Sequence, residues 1–158
     1  MKAEYVNPFL QATQDVFRQM LNLDIEKDRI ALQEDWIPGK EVNVLIGVVG
    51  ALTGSVVFSF SKPMALAMVQ SMAGMEISEL DVFVTSALGE VGNIICGNAM
   101  TYLANAKYPC DIAPPQIILG ENKTISLATP KSLLVFCKTA LGEFTINISL
   151  KEKSITPD

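Results

Sequence analysis

Ser86-Ala87-Leu88-Gly89-Glu90-Val91-Gly92-Asn93-Ile94-Ile95-Cys96-Gly97-Asn98 carries Ser86, Glu90, Asn93 and Gly97 at intervals of four, three and four residues. A right-handed helix turns ~100° per residue, which gathers those four positions into a sector of roughly 60°. Val84, Leu88, Val91, Ile95 and Tyr102 gather on nearly the opposite side. The segment reads as one helix with an apolar face for a core and a narrow stripe of small and polar groups. It is expected to lie on a sheet with Val84, Leu88, Val91 and Ile95 buried. The Glu90 carboxylate and the Asn93 carboxamide are then expected to be exposed side by side.

The limits of this helix are set by its flanks. Ser78-Glu79-Leu80-Asp81 opens it, and it runs to about Ala106, where Tyr108-Pro109 and Pro114-Pro115 force extended chain. Upstream, Ser61-Lys62-Pro63 reads as a cap followed by a first-turn proline, for a helix to Met72 ended by Gly74. Val42 to Gly50 and Ser55 to Ser61 form an antiparallel hairpin around Leu52-Thr53-Gly54, on their β-branched and aromatic content. An N-terminal helix is expected over residues 5 to 22, with Pro8 in its first turn and Asn22 at its end. Residues 25 to 40 are charged and turn at Pro38-Gly39, with a short strand near Ile30 to Leu32. Further strands are expected near Gln116 to Leu119, Thr124 to Leu127, Leu133 to Thr139 and Glu143 to Leu150, followed by a polar tail from Lys151 to Asp158.

Ala51 to Lys62 resembles Ala140 to Lys151 with one residue deleted, so the chain reads as two helix-plus-hairpin halves. One domain over residues 1–158 is expected at this length.

Composition removes several function classes. The net charge is −5 with no basic cluster, which argues against nucleic-acid binding. No apolar run reaches the ~18 residues of a membrane span, and Met1-Lys2-Ala3-Glu4 has no signal core. The expected location is the cytoplasm. Cys96, Cys110 and Cys137 are too scattered for a metal-binding pair and read as reduced thiols in a core. The chain contains no histidine, which removes Ser-His-Asp and Cys-His catalysis and the usual zinc sites. No metal site of its own is expected.

The stripe suits a different chemistry. An ionised Glu accepts only and can pair with a lysine, whereas an Asn carboxamide accepts and donates and can steer a water. Gly97 lets another backbone approach, at ~1 kcal/mol of helix propensity relative to Ala, and Gly89 and Gly92 weaken the same stretch. Polar groups at this spacing are also the solvated face of most amphipathic helices. Spacing alone does not establish an active site.

Ser86 to Asn98 resembles the signature of the CheC/CheX/FliY phosphatases, in which Asp or Ser, Glu, Asn and Gly stand at these intervals. Gly47 to Ser61 resembles the first hairpin of the CheX branch. Met72-Ala73-Gly74-Met75-Glu76 and Asp111-Ile112-Ala113-Pro114-Pro115 match what flanks its motif helix. The likeness spans about residues 5 to 150. Family members with two sites repeat the Glu/Asn pair on the first helix. Here only Glu4-Tyr5-Val6-Asn7 has that spacing, with Gln11 in the glycine position and Pro8 intruding, so one site per chain is expected.

The resemblance implies an α/β (α+β) two-layer fold, with long helices packed on an antiparallel sheet in a CheC-like pseudo-repeat. It implies a hydrolase acting on the phosphoaspartate of a CheY-like response regulator, in chemotaxis or related two-component signalling. Asn93 would orient the attacking water and Glu90 would anchor to the regulator's lysine, with Ser86 and Gly97 shaping the docking face. Mg²⁺ or Mn²⁺ would come from the regulator's active site, with no cofactor of the chain's own. A homodimer through sheet edges is also implied. The competing reading is a non-catalytic CheC-like scaffold or regulator-binding module.

Overall fold

Alternation along the chain builds a sheet with two different faces. The computed structural model describes residues 1–120 and 124–153. Val42–Gly50 (β2) and Leu52–Phe60 (β3) pair antiparallel from Val42↔Phe60 to Val48↔Gly54. Val42, Val44, Ile46 and Val48 join Val56, Phe58 and Phe60 in the main core, while Asn43, Leu45 and Val57 point to the other face. Gly142–Glu152 (β7) adds Phe144, Ile146, Ile148 and Leu150 to the main core, and pairs with β3 from Leu52↔Glu152 to Phe60↔Phe144. Period-two burial of this kind is what a pleated strand imposes.

Four more strands complete the sheet among the described residues. They are Glu26–Pro38 (β1), Cys110–Ile112 (β4), Gln116–Leu119 (β5) and Thr124–Thr139 (β6). The order is β1-β6-β7-β3-β2-β4, with β5 also pairing β2. The β2–β3 and β6–β7 hairpins therefore meet at the centre through β3 and β7, the strands that hold the two similar segments Ala51–Lys62 and Ala140–Lys151.

Among the described residues, three helices cover one face. Ala3–Val16 (α1) runs into one wide π turn, Phe17–Leu21, closed by Asn22 at φ 52°. Lys62–Ala73 (α2) begins where Ser61 Oγ accepts from the Met64 amide at 3.3 Å and ends at Gly74 in the left-handed region. Val82–Asn105 (α3) begins where Asp81 Oδ1 accepts from the Val84 amide at 3.0 Å. Such a cap satisfies one of the amides the first turn leaves without a partner. On α3, Val84, Leu88, Val91 and Ile95 are buried against the sheet, as the apolar stripe demanded. Each contributes about 1.5–3 kcal/mol relative to an exposed side chain. Gly92 allows this close seating, because a Cβ there would stand 2.9 Å from Val44 Cγ1 and 3.3 Å from Ile46 Cδ1.

The sheet also curls over its own outer face. β6 pairs with β7 only from Leu133 to Thr139, and its earlier half continues with β1 alone, from Trp36↔Ser126 to Pro38↔Thr124. This arm packs Ile37 and Ile125 on Val57, with Leu45, Ile118 and Leu127 around them. The Thr129 amide donates to Ser149 Oγ at 3.0 Å, and the two hydroxyls lie 2.6 Å apart. Asn43, Ser59, Asn147 and Ser149 are consequently buried on a face that a simple two-layer domain leaves wet.

Several expectations are corrected. The N-terminal helix begins at Ala3, so Pro8 lies beyond its first turn. β1 runs over 13 residues where one short strand and charged loop were expected. The turn between β2 and β3 is Ala51; Leu52-Thr53-Gly54 belong to β3 because they pair with β7. α3 starts at Val82, not Ser78, since Asp81 is the residue that caps it. β4 was missed, and the strands expected at 124–127 and 133–139 are one. Of the expected tail, Lys151 and Glu152 extend β7, and residues 154–158 lie outside the described residues. Tyr102, expected on the core side, is 37% exposed. Its hydroxyl donates to Asp15 Oδ2 of α1 at 2.5 Å.

Candidate active site

α3 positions every residue singled out from the sequence. Ser86, Glu90 and Gly97 are exposed and Asn93 is half-buried. The difference follows from helical geometry. Of the four, Asn93 stands nearest the buried side, with buried Gly89 and Cys96 as its i−4 and i+3 neighbours. The pair therefore shares one face at unequal depth, Glu90 exposed and Asn93 half-buried, where both were expected exposed side by side. A half-buried carboxamide has fewer rotamers to lose on meeting a partner.

Neither polar group is committed elsewhere among the described residues. The side-chain hydrogen bonds made on α3 are Asp81 to the Val84 amide, Thr85 to the Val82 carbonyl and Tyr102 to Asp15. None of the ion pairs involves Glu90. A Cβ at Gly97 would meet nothing within 4 Å, so the far end of the stripe is open. The three glycines thus divide: Gly92 seats the helix on β2, a Cβ at Gly89 would make ordinary contacts at 3.6 Å with Ile117 and Pro115, and Gly97 faces free space.

The stripe is a convex helix face. A groove of about 710 Å³ lies elsewhere, against α1, and is lined by Glu4, Asn7, Gln11, Lys27, Tyr102 and Cys137 among others. Glu4 there accepts from the Tyr108 hydroxyl at 2.7 Å and lies 3.9 Å from Lys2 Nζ, so the Glu4/Asn7 pair does not repeat the uncommitted state of Glu90. The thiols of Cys96 and Cys137 are poor nucleophiles. Burial pushes Cys96 up to about 12, and pushes Cys137 up to about 11 against the opposing pull of Lys27. Cys110, half-buried, accepts from the Leu52 amide at 3.2 Å. Among the described residues no three His, Cys, Asp or Glu side chains come together as a metal site. No helix among them is long and apolar enough to cross a membrane.

Helices packed on a curled antiparallel sheet are an arrangement this chain shares with solved CheC-like proteins. A CheC-like protein from Shewanella sp. PV-4 superposes with a TM-score of 0.88 and 27% identity, covering 96% of this chain and 99% of that one. Residues 42–138 match the chemotaxis phosphatase CheX family, and the chain belongs to it. Over 158 residues it is 30% identical to the CheY-P phosphatase CheX of Thermotoga maritima, covering 96% of this chain and 98% of that protein. A chain of the CheX-CheY-BeF3-Mg²⁺ complex from Borrelia burgdorferi superposes with a TM-score of 0.80 and 33% identity, covering 94% and 98%.

Proposed function

We propose that this chain, acting as one domain in the cytoplasm, hydrolyses the phosphoaspartate of a CheY-like response regulator through the α3 stripe. The observation that carries this reading is an uncommitted Glu90/Asn93 pair on the convex helix of a CheX-family phosphatase. A convex site needs a partner that brings the pocket. The regulator supplies the phosphoryl group, a lysine and the divalent ion; the chain supplies a carboxylate and a carboxamide. Glu90 pairs with the lysine, and Asn93 holds a water in line with phosphorus. The water oxygen bonds to phosphorus as the bond to the aspartyl oxygen breaks, leaving a carboxylate and inorganic phosphate. Such a transfer needs positioning and electrostatics more than covalent help. Ser86 and Gly97 shape the face that meets the regulator. The edge strand β1, which exposes Ile30, Leu32 and Trp36, suits pairing with a second copy.

The experiment is phosphate release from a phosphorylated regulator with and without the chain. An unchanged phosphate lifetime at stoichiometric chain would return the protein to the scaffold reading. The acceleration is expected to vanish when the divalent ion is chelated, while the chain alone shows no micromolar Mg²⁺ binding by calorimetry. A stoichiometric ion held by the isolated chain would contradict that division. Glu90 makes a ground-state contact, so Glu90→Ala and Glu90→Lys are expected to weaken binding of the beryllofluoride–Mg²⁺ regulator about tenfold or more, and turnover with it. An unaltered affinity in Glu90→Lys would exclude a lysine partner.

A further inference from the structure

Two large apolar side chains flank the N-terminal end of the stripe without serving the fold. Val82 is 79% exposed and Phe83 54% exposed, and Val82 is the most exposed large apolar side chain among the described residues. Neither belongs to the core or to the half-buried side chains packed on it. Val82 directly follows the Asp81 cap, where a β-branched residue has no propensity advantage. At ~100° per residue, Val82 and Phe83 fall on either side of the sector holding Ser86, Glu90, Asn93 and Gly97. They bracket the stripe.

Distance places them within reach of whatever covers it. At ~1.5 Å rise per residue they lie roughly 13–14 Å from the midpoint of Glu90 and Asn93. An interface of ordinary size takes about 800 Å² from each partner, a disc of roughly 16 Å radius. A disc centred on the polar pair includes both side chains. A second copy seated on this patch would cover Glu90 and Asn93, which leaves the regulator as the fitting occupant.

We propose that Val82 and Phe83 are a specificity-determining apolar clamp that docks on a nonpolar patch of the regulator beside its phosphoaspartate. This rests on the α3 stripe facing the regulator. The polar pair then supplies chemistry and the apolar pair supplies affinity, so the two should separate kinetically.

The test uses the full chain and the beryllofluoride–Mg²⁺ regulator for binding, with the phosphorylated regulator for turnover. Val82→Ala/Phe83→Ala keeps a strong helix former at each position, so helix content should be preserved. Kd and KM are expected to rise about tenfold or more, with kcat falling no more than about twofold; Phe83→Met should keep most of the affinity. A Kd within about twofold of wild type, in a preparation whose wild type is active, overturns the clamp alone. A change in oligomeric state on substitution also overturns it, by assigning the patch to a second copy. A wild type that leaves the regulator's phosphate untouched removes the reading of the stripe and the clamp with it.

Discussion

Asn93→Ala should lower kcat for phosphoregulator hydrolysis by about 10² or more while leaving affinity for the beryllofluoride–Mg²⁺ regulator close to that of wild type. The carboxamide is held half-buried at the inner edge of the exposed sector, and its oxygen can accept a hydrogen bond from a water while its NH2 donates to another acceptor. Alanine keeps the helix and the docking surface but removes both functions. The loss belongs to the transition state, because a water already bound and aimed does not pay its orientational entropy during the reaction. Combined with Glu90→Ala, the two losses should not simply add, since both groups act within one docked geometry. Full turnover in Asn93→Ala would end the water-orienting role.

Gly54→Ala should be the most damaging small substitution in the fold, lowering stability on the order of 4 kcal/mol and depleting soluble protein. Gly54 pairs with Leu150 where β3 and β7 join the two hairpins, and its φ is 153°. A Cβ there would stand 1.8 Å from the Ser149 carbonyl oxygen and 2.9 Å from its carbon. Those are backbone atoms of the central strand pair, so no side-chain rotation relieves the collision. Overpacking and an unfavourable backbone region each cost roughly 1–3 kcal/mol, and here both act on one residue. Urea unfolding measures it. A midpoint equal to wild type would mean that β3 can part from β7 at little cost.

Legibility followed local chemistry. The limits of α2 were readable because Ser61, Pro63 and Gly74 each act within one turn. The start of α3 was misplaced because Ser78 and Asp81 are both good caps, and only the bond to the Val84 amide decides between them. β1 gave little alternation since it is an edge strand with most residues exposed, so water takes the role of the second face. Pro130 lies between the two strands that were expected where β6 is one. It is tolerated in β6 because residues 127–130 have no partner on β1, opposite a bulge where Asp35 has φ 60°. At the site, spacing was enough to put Ser86, Glu90, Asn93 and Gly97 on one face. The depth of Asn93 depends on the sheet beneath Gly89 and Cys96, which spacing does not contain. Val82 and Phe83 were passed over because an isolated apolar residue at a helix start carries no pattern.

The strand order also fixes a schedule for synthesis. β1 has β6 as its single neighbour among the described residues, and β6 leaves the ribosome roughly 100 residues later. At about 5–20 residues per second, that is a delay on the order of 5–20 s. Throughout it, a 13-residue strand carrying Ile30, Leu32 and Trp36 has no mate in its own chain. The charges it carries, Glu26-Lys27-Asp28-Arg29 and Glu34-Asp35, then have a task that begins before the protein is folded. They keep neighbouring nascent chains from using β1 as a template before its partner arrives.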